Sequence, residues 1–158
     1  MIVAKLAGQS AGYLQAQLRN FRSGQRKNGY MAVIAATVDE ADIRDLAAYF
    51  SAQPAMRGDT DSATSATALA TAAQLARTGD AARGVPACAS CHGEQGAGLN
   101  GQPAPRLAGQ DLRYLQKQLL DWRSGQRQDS GATTMAQVAQ SLSDAEIDAL
   151  ALLFSQIH

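Results

Sequence analysis

The chain repeats itself, at a spacing that excludes most architectures. Leu6-Ala7-Gly8-Gln9 returns as Leu107-Ala108-Gly109-Gln110, and Arg22-Ser23-Gly24-Gln25-Arg26 as Arg123-Ser124-Gly125-Gln126-Arg127. At an offset of 101, residues 5–26 and 106–127 are identical at 14 of 22 positions. A three-residue insertion in the second copy then moves the offset to 104, setting Met31 against Met135, Ile43 against Ile147, Leu46 against Leu150 and Phe50 against Phe154. Solenoid units are shorter, roughly 20–50 residues. The pattern therefore reads as two copies of one small domain, for which 158 residues leave room.

Both copies read as helical. Leu14, Leu18 and Phe21 stand at i, i+4 and i+7, and Leu115, Leu119 and Trp122 do the same, which is one face of an amphipathic helix. Ser10 and Asp111 are matching N-caps, and Gly24 and Gly125 matching stops. A later helix opens at Asp39 and again at Ser143, where Ser143-Asp144-Ala145-Glu146 has the form of a capping box. Ile43, Leu46, Ala47 and Phe50 form its buried stripe, echoed by Ile147, Leu150, Ala151 and Phe154. No stretch alternates with period two, so the expected fold class is all-α with little or no sheet. Residues 53–65, rich in Ala, Ser, Thr, Asp and Gly, read as a linker. Ala66 to Arg77 reads as a helix ending at Gly79, the first of copy two and without a counterpart in copy one. The expected division is thus a partial domain over 1–52, a linker over 53–65 and a complete domain over 66–158.

Composition narrows the function. Only 5% of residues are aromatic, and small helical domains this poor in rings often need something else to fill the middle. Formal net charge is zero, which argues against a nucleic-acid binder driven by bulk charge. Residues 1–55 hold six Lys/Arg and four Asp/Glu (+2), and residues 56–158 hold eight and ten (−2); this mild polarity could orient a partner. No apolar run reaches transmembrane length. The start, Met1-Ile2-Val3-Ala4-Lys5, is too short for the apolar region of a signal peptide.

The chemistry lies in Cys88-Ala89-Ser90-Cys91-His92, a C-x-x-C-H sequence and the attachment signature of c-type haem. Two thiols three positions apart on a helical turn can each reach one porphyrin vinyl group, and the adjacent imidazole then faces the iron. The two cysteines are the only ones in the chain, and the second histidine, His158, is its last residue. Three other readings of the motif stand beside this one. A redox dithiol would want a strand–helix context. A zinc site would need further ligands. A surface disulfide would suit a secreted protein.

The other axial ligand expected is Met135, the sole methionine of copy two, placed on a flexible stretch over 129–135 between two helices. His/Met ligation would stabilise ferrous iron; the alternative is a core-filling methionine. A haem-ligating histidine usually donates its other N–H to a carbonyl, and Pro105 is the expected source, unless it is a plain turn proline. Tyr114, Trp122 and Arg127 are candidates for the haem shell or its propionates, although helical spacing alone makes Trp122 a core residue.

Cys88-Ala89-Ser90-Cys91-His92-Gly93, Leu107-Ala108-Gly109-Gln110, Trp122-Arg123-Ser124-Gly125-Gln126-Arg127, Met135 and Leu142-Ser143-Asp144-Ala145-Glu146-Ile147 together resemble the second half of the cytochrome c4 family. The resemblance covers nearly the whole chain, since copy one is similar to the family's first half from Leu6 onward. It implies two all-α haem domains related by an approximate twofold, the first N-terminally truncated here. It also implies periplasmic electron transfer, with haem c as cofactor: one in this chain, two in a full-length relative. The implied partners are a donor such as a quinol-oxidising complex and an acceptor such as a terminal oxidase; peripheral membrane association is compatible with this. The alternative is a haem-bearing subunit docked in a larger oxidoreductase. With both axial positions filled, a carrier rather than an enzyme is expected.

One departure is large. His92 lies 15 residues before Leu107, and the same distance back from Leu6 falls before Met1. Copy one has no Cys and no His, so Met31 is expected to be a vestigial ligand of a missing first haem. Either the chain is a fragment that has lost its first motif and signal peptide, or copy one has lost its haem and persists as a docking half. In both cases an unfilled apolar pocket near Met31 and low local stability are expected.

Overall fold

The computed structural model describes residues 2–55, 57–58, 65–100, 102–129 and 133–157. Copy one supplies α1 (Ala11–Ser23), α2 (Gly29–Thr37) and α3 (Glu40–Ser51). Copy two supplies α4 (Ala66–Thr78), a 3-10 turn (Ala81–Arg83), α5 (Ala89–His92), α6 (Leu112–Arg123), α7 (Thr133–Gln140) and α8 (Asp144–Ser155). Among the described residues the only strand-like pairings are two isolated bridges, Arg26 with Arg127 and Asp80 with Val85. The all-α expectation holds.

The helices begin where the capping residues put them. Ser10 Oγ accepts from the Tyr13 N–H at 3.4 Å, and Asp111 Oδ1 from the Tyr114 N–H at 2.7 Å. The last helix of each copy opens with a complete capping box, Asp39 with Asp42 and Ser143 with Glu146. Each such cap is worth about 1 kcal/mol. Arg83 closes the 3-10 turn onto α8. It contacts Asp80 at 2.7 Å and both oxygens of Glu146 at 2.7 and 3.0 Å, and its hydrogen bond brings the Glu146 carboxyl down to about 2.

Two short helices were not foreseen. The segment ending at Met135 reads from sequence as a loop, yet α7 begins at Thr133, so Met135 lies in its first turn. Copy one explains why. Asn28 caps α2 by accepting from the Met31 N–H at 3.0 Å, so the methionine follows a helix start in both copies. Of the expected linker, Gln53–Ala55, Arg57, Gly58 and Ser65 are described, and the rest lies outside the described residues.

In copy one α1 packs on α2 and α3, and in copy two α6 packs likewise on α7 and α8. Copy two adds α4, which lies along α8 and covers it with Ala72, Leu75 and Ala76; these join Val85, Leu115, Val138, Ile147, Leu150 and Phe154 in one core. Residues 2–55 contain no helix in the place of α4. The consequence is visible position by position. Ile43 and Ile147, which face α1 and α6, are both fully buried. Leu150 is 4% exposed where Leu46 is 38%, and Val138 is 7% where Ile34 is 50%. Tyr30 and Val33, beside Met31, are more exposed still. Copy one thus presents an open apolar face at Met31 in place of the pocket the sequence suggested.

Candidate haem centre

The motif forms a single helical turn. The Cys91 and His92 N–H groups both donate to the Cys88 carbonyl, at 3.3 and 2.9 Å, which sets Cys88, Cys91 and His92 at i, i+3 and i+4 on one face. Cys88 is half-buried against the core, Cys91 is exposed, and no disulfide joins them. Burial pushes the Cys88 thiol up.

His92 is buried, and its Nδ1–H donates to the Pro105 carbonyl at 2.8 Å. Burial lowers the imidazole below its ordinary value, and the Pro105 carbonyl offsets part of this. The ring is therefore neutral at pH 7, with Nδ1 committed as donor and the Nε2 lone pair facing the other way. The loop that delivers Pro105 is tightly tied. The Gly98 N–H reaches the His92 carbonyl at 2.7 Å, and the Gly96 carbonyl accepts from Leu107 and Ala108 at 2.7 and 2.9 Å. Gly96 must be glycine twice over: its φ is +67°, and a Cβ there would come within 2.7 Å of the Phe154 ring.

Met135 packs both on the main core, which Cys88 also borders, and on Trp122 with Ala139. Two thiols on one turn, an imidazole oriented by a carbonyl and a soft thioether make a donor set suited to haem iron. The rival readings fare worse. No group of three or more His, Cys, Asp or Glu is gathered for a metal ion among the described residues, as zinc would need. The strand–helix setting of a redox dithiol is absent among them as well. Met31 occupies the position equivalent to Met135, in the first turn of α2.

Tyr114, Trp122 and Arg127 do come together, at a seam between the two copies. Arg127 Cζ lies 4.2 Å from the centre of the Trp122 ring, and Arg26 Cζ 4.7 Å from that of Phe21. Arg26 donates to Tyr114 Oη at 2.8 Å, and Arg127 to Tyr13 Oη at 3.1 Å. The buried Gln9 and Gln110 make a reciprocal clamp. Gln110 Oε1 accepts from the Lys5 N–H at 2.8 Å while its Nε2 donates to the Lys5 carbonyl at 2.9 Å. Gln9 does the same to the backbone of Arg106, at 2.8 and 3.0 Å. Asp129 is buried beside Arg127 at 2.8 Å. Desolvation alone would raise its carboxyl, but hydrogen bonds and charge from Arg127, with the charge of Arg26, hold it below the ordinary carboxylate value.

Sequence reasoning missed Gln9, Gln17, Arg26, Gln110, Gln118 and Asp129. A signal for the first five was in hand: Gln9/Gln110, Tyr13/Tyr114, Gln17/Gln118 and Arg26/Arg127, all of the seam, are among the polar residues kept identical between the copies. A twofold interface uses one patch twice, so its residues recur in both halves.

A family model described as cytochrome c matches residues 69–154. The chain is 39% identical over 97% of its length to the thiosulfate dehydrogenase electron acceptor of Stutzerimonas stutzeri and spans 70% of that protein. It is 35% identical over 98% of its length to cytochrome c4 of Pseudomonas aeruginosa, spanning 75% of it. The crystal structure of reduced recombinant cytochrome c4 from Pseudomonas stutzeri superposes with a TM-score of 0.89 at 34% identity, covering 98% of this chain and 85% of that one.

Proposed function

The chain belongs to the cytochrome c family and within it to the cytochrome c4 group, and from that premise we propose that residues 66–158 are its haem domain and Cys88, Cys91, His92 and Met135 hold the haem. The protein is an electron-transfer cytochrome carrying covalent haem c, a carrier and not an enzyme. The haem, when bound, supplies a one-electron ferric/ferrous couple.

The chain's own residues do the rest. Cys88 and Cys91 give the two thioether attachments, and their placement on one turn fixes where His92 points. The observation that carries the reading is the bond from His92 Nδ1 to the Pro105 carbonyl, made from the same turn as the two thiols. It commits Nδ1 as the donor and leaves Nε2 for iron, while burial favours the neutral ring. Met135 offers a thioether from the first turn of α7, steadied against Trp122. The apolar core keeps water out and reduces solvent reorganisation. Tyr114, Trp122 and Arg127 line the side that faces copy one, where Arg127 is held by Asp129 and lies on Trp122. Residues 1–52 form copy one, in which Met31 is the counterpart of Met135, and 53–65 link the two.

In this reading the protein works in the periplasm, takes electrons from a quinol- or substrate-oxidising donor and passes them to an acceptor such as a terminal oxidase. A second reading, residence as the electron-transfer subunit of a larger oxidoreductase, is favoured by the open apolar face at Tyr30, Val33 and Ile34. It is also favoured by the likeness to the electron acceptor of a thiosulfate dehydrogenase.

A haemochrome assay on chain matured in a periplasm tests the assignment. The expected result is one c-type haem per chain that resists acid–acetone extraction, and loss of that pigment in Cys88→Ala/Cys91→Ala. A colourless wild type with two reactive thiols would refute it. In the coloured protein the ferric methionine–iron charge-transfer band is expected, and it should vanish in Met135→Ala. Ready binding of carbon monoxide by the ferrous wild type would remove Met135 from the iron.

A further inference from the structure

The seam is closely twofold in its arginine–glutamine–tyrosine bonds but not in its charge. Arg26 and Arg127 are each only 7% exposed. Two glutamine oxygens bind both guanidiniums at once. Gln17 Oε1 lies 2.6 Å from Arg26 and 3.1 Å from Arg127, and Gln118 Oε1 lies 2.6 and 2.8 Å from them. Arg127 has its counter-ion in Asp129. Among the described residues, the side-chain hydrogen bonds of Arg26 go to neutral groups alone: Gln17, Gln118 and Tyr114. At the position that would supply its carboxylate stands Asn28, which is spent on capping α2. Among the described residues, two buried cations and one buried anion leave the seam one positive charge in excess.

That charge is placed close to the candidate iron ligand. Gln118 bridges Arg26 to Arg127, Arg127 lies on Trp122, and Trp122 packs on Met135. We propose that Arg26, supplied by copy one, raises the reduction potential of the haem carried by copy two through this charge across the seam. Ferric haem carries one more positive charge than ferrous haem, so a fixed cation nearby disfavours the ferric state. Inside a low-dielectric seam the effect is weakly screened.

The inference rests on the haem assignment above, and spectroelectrochemical titration of the holoprotein tests it. In Arg26→Gln the ferric-to-ferrous ratio at a fixed ambient potential should rise about tenfold, a lowering of about 59 mV for a one-electron couple. Arg26→Lys, which keeps the charge, should stay within about twofold of wild type. Asp129→Asn should shift the ratio the opposite way, toward ferrous. The shifts should persist at high salt, because the charges are buried. A seam that merely opened would hydrate the haem and lower the potential in Arg26→Gln and Asp129→Asn alike. Shifts of the same sign in those two, or an unmoved potential in Arg26→Gln, would overturn the proposal. Should Arg26→Gln fail to fold, an unmoved or lowered potential in Asp129→Asn overturns it just as well. A colourless wild type is a different failure, that of the haem assignment itself.

Discussion

Leu150→Ala should cost about 2–5 kcal/mol of stability, whereas Leu46→Ala, at the matching position of copy one, should cost less than about 1 kcal/mol. The two leucines occupy the same place on equivalent helices, α8 and α3. The difference is what lies over them. Ala72, Leu75 and Ala76 of α4 cover α8 and leave Leu150 4% exposed, while Leu46 is 38% exposed. Truncating Leu150 opens a cavity among packed neighbours that cannot fully close; truncating Leu46 mostly removes surface already in water. Urea unfolding followed by haem absorbance and by the fluorescence of Trp122, the one tryptophan, reads both variants in the same copy-two frame. Equal losses would mean that α4 does not hold down α8 in solution. Ile43→Ala and Ile147→Ala provide the control, since both side chains are fully buried beneath α1 and α6 and should each lose about 2–5 kcal/mol.

Much of this architecture was legible because the signals were local. Ser10, Asp39, Asp111 and Ser143 cap helices by hydrogen bonds within three residues, and such short-range chemistry can be read from a string. The stripes at Ile43 and Ile147, the stop at Gly79 and the Cys88–His92 turn belong to the same class. Pro105 was legible for a related reason: a ligating histidine needs a carbonyl, and the rigid loop just beyond the motif is the nearest source. What escaped were mostly contacts 88 or more residues apart. The helix start before Met135 was hidden because Ser, Gly and Thr favour loops and helix starts alike. Asp129 looked like the first residue of a solvated turn, and only the approach of copy one makes it a buried counter-ion. Tyr114 and Arg127 were singled out for the haem shell, yet the bonds they make run to Arg26, Tyr13 and Gln17. The repeat announced two copies; that its identical polar residues would face each other is a statement about packing.

That packing is open to a direct test at its clamp. Replacing Gln9 and Gln110 together by alanine should open the seam, with a loss of about 2–4 kcal/mol per site. Each substitution strands the N–H and carbonyl of one residue, Arg106 for Gln9 and Lys5 for Gln110, at a place where the other copy excludes water. Each also removes a bond within its own copy, because Gln9 Oε1 accepts from the Ser10 N–H at 3.0 Å and Gln110 Oε1 from the Asp111 N–H at 2.9 Å. Entry to α1 and α6 would therefore loosen as the seam parts. Hydrogen exchange should reveal this first: the Lys5 and Arg106 amides should lose protection in the double variant, while the α8 amides beneath α4 keep theirs. Small-angle scattering should then show a larger radius of gyration with the secondary structure retained. Because the two clamps are reciprocal, either single variant leaves one of them closed, and the double variant should lose more than the two singles combined. Simple additivity, with Lys5 and Arg106 still protected, would place the strength of the seam in the arginine–glutamine lattice instead.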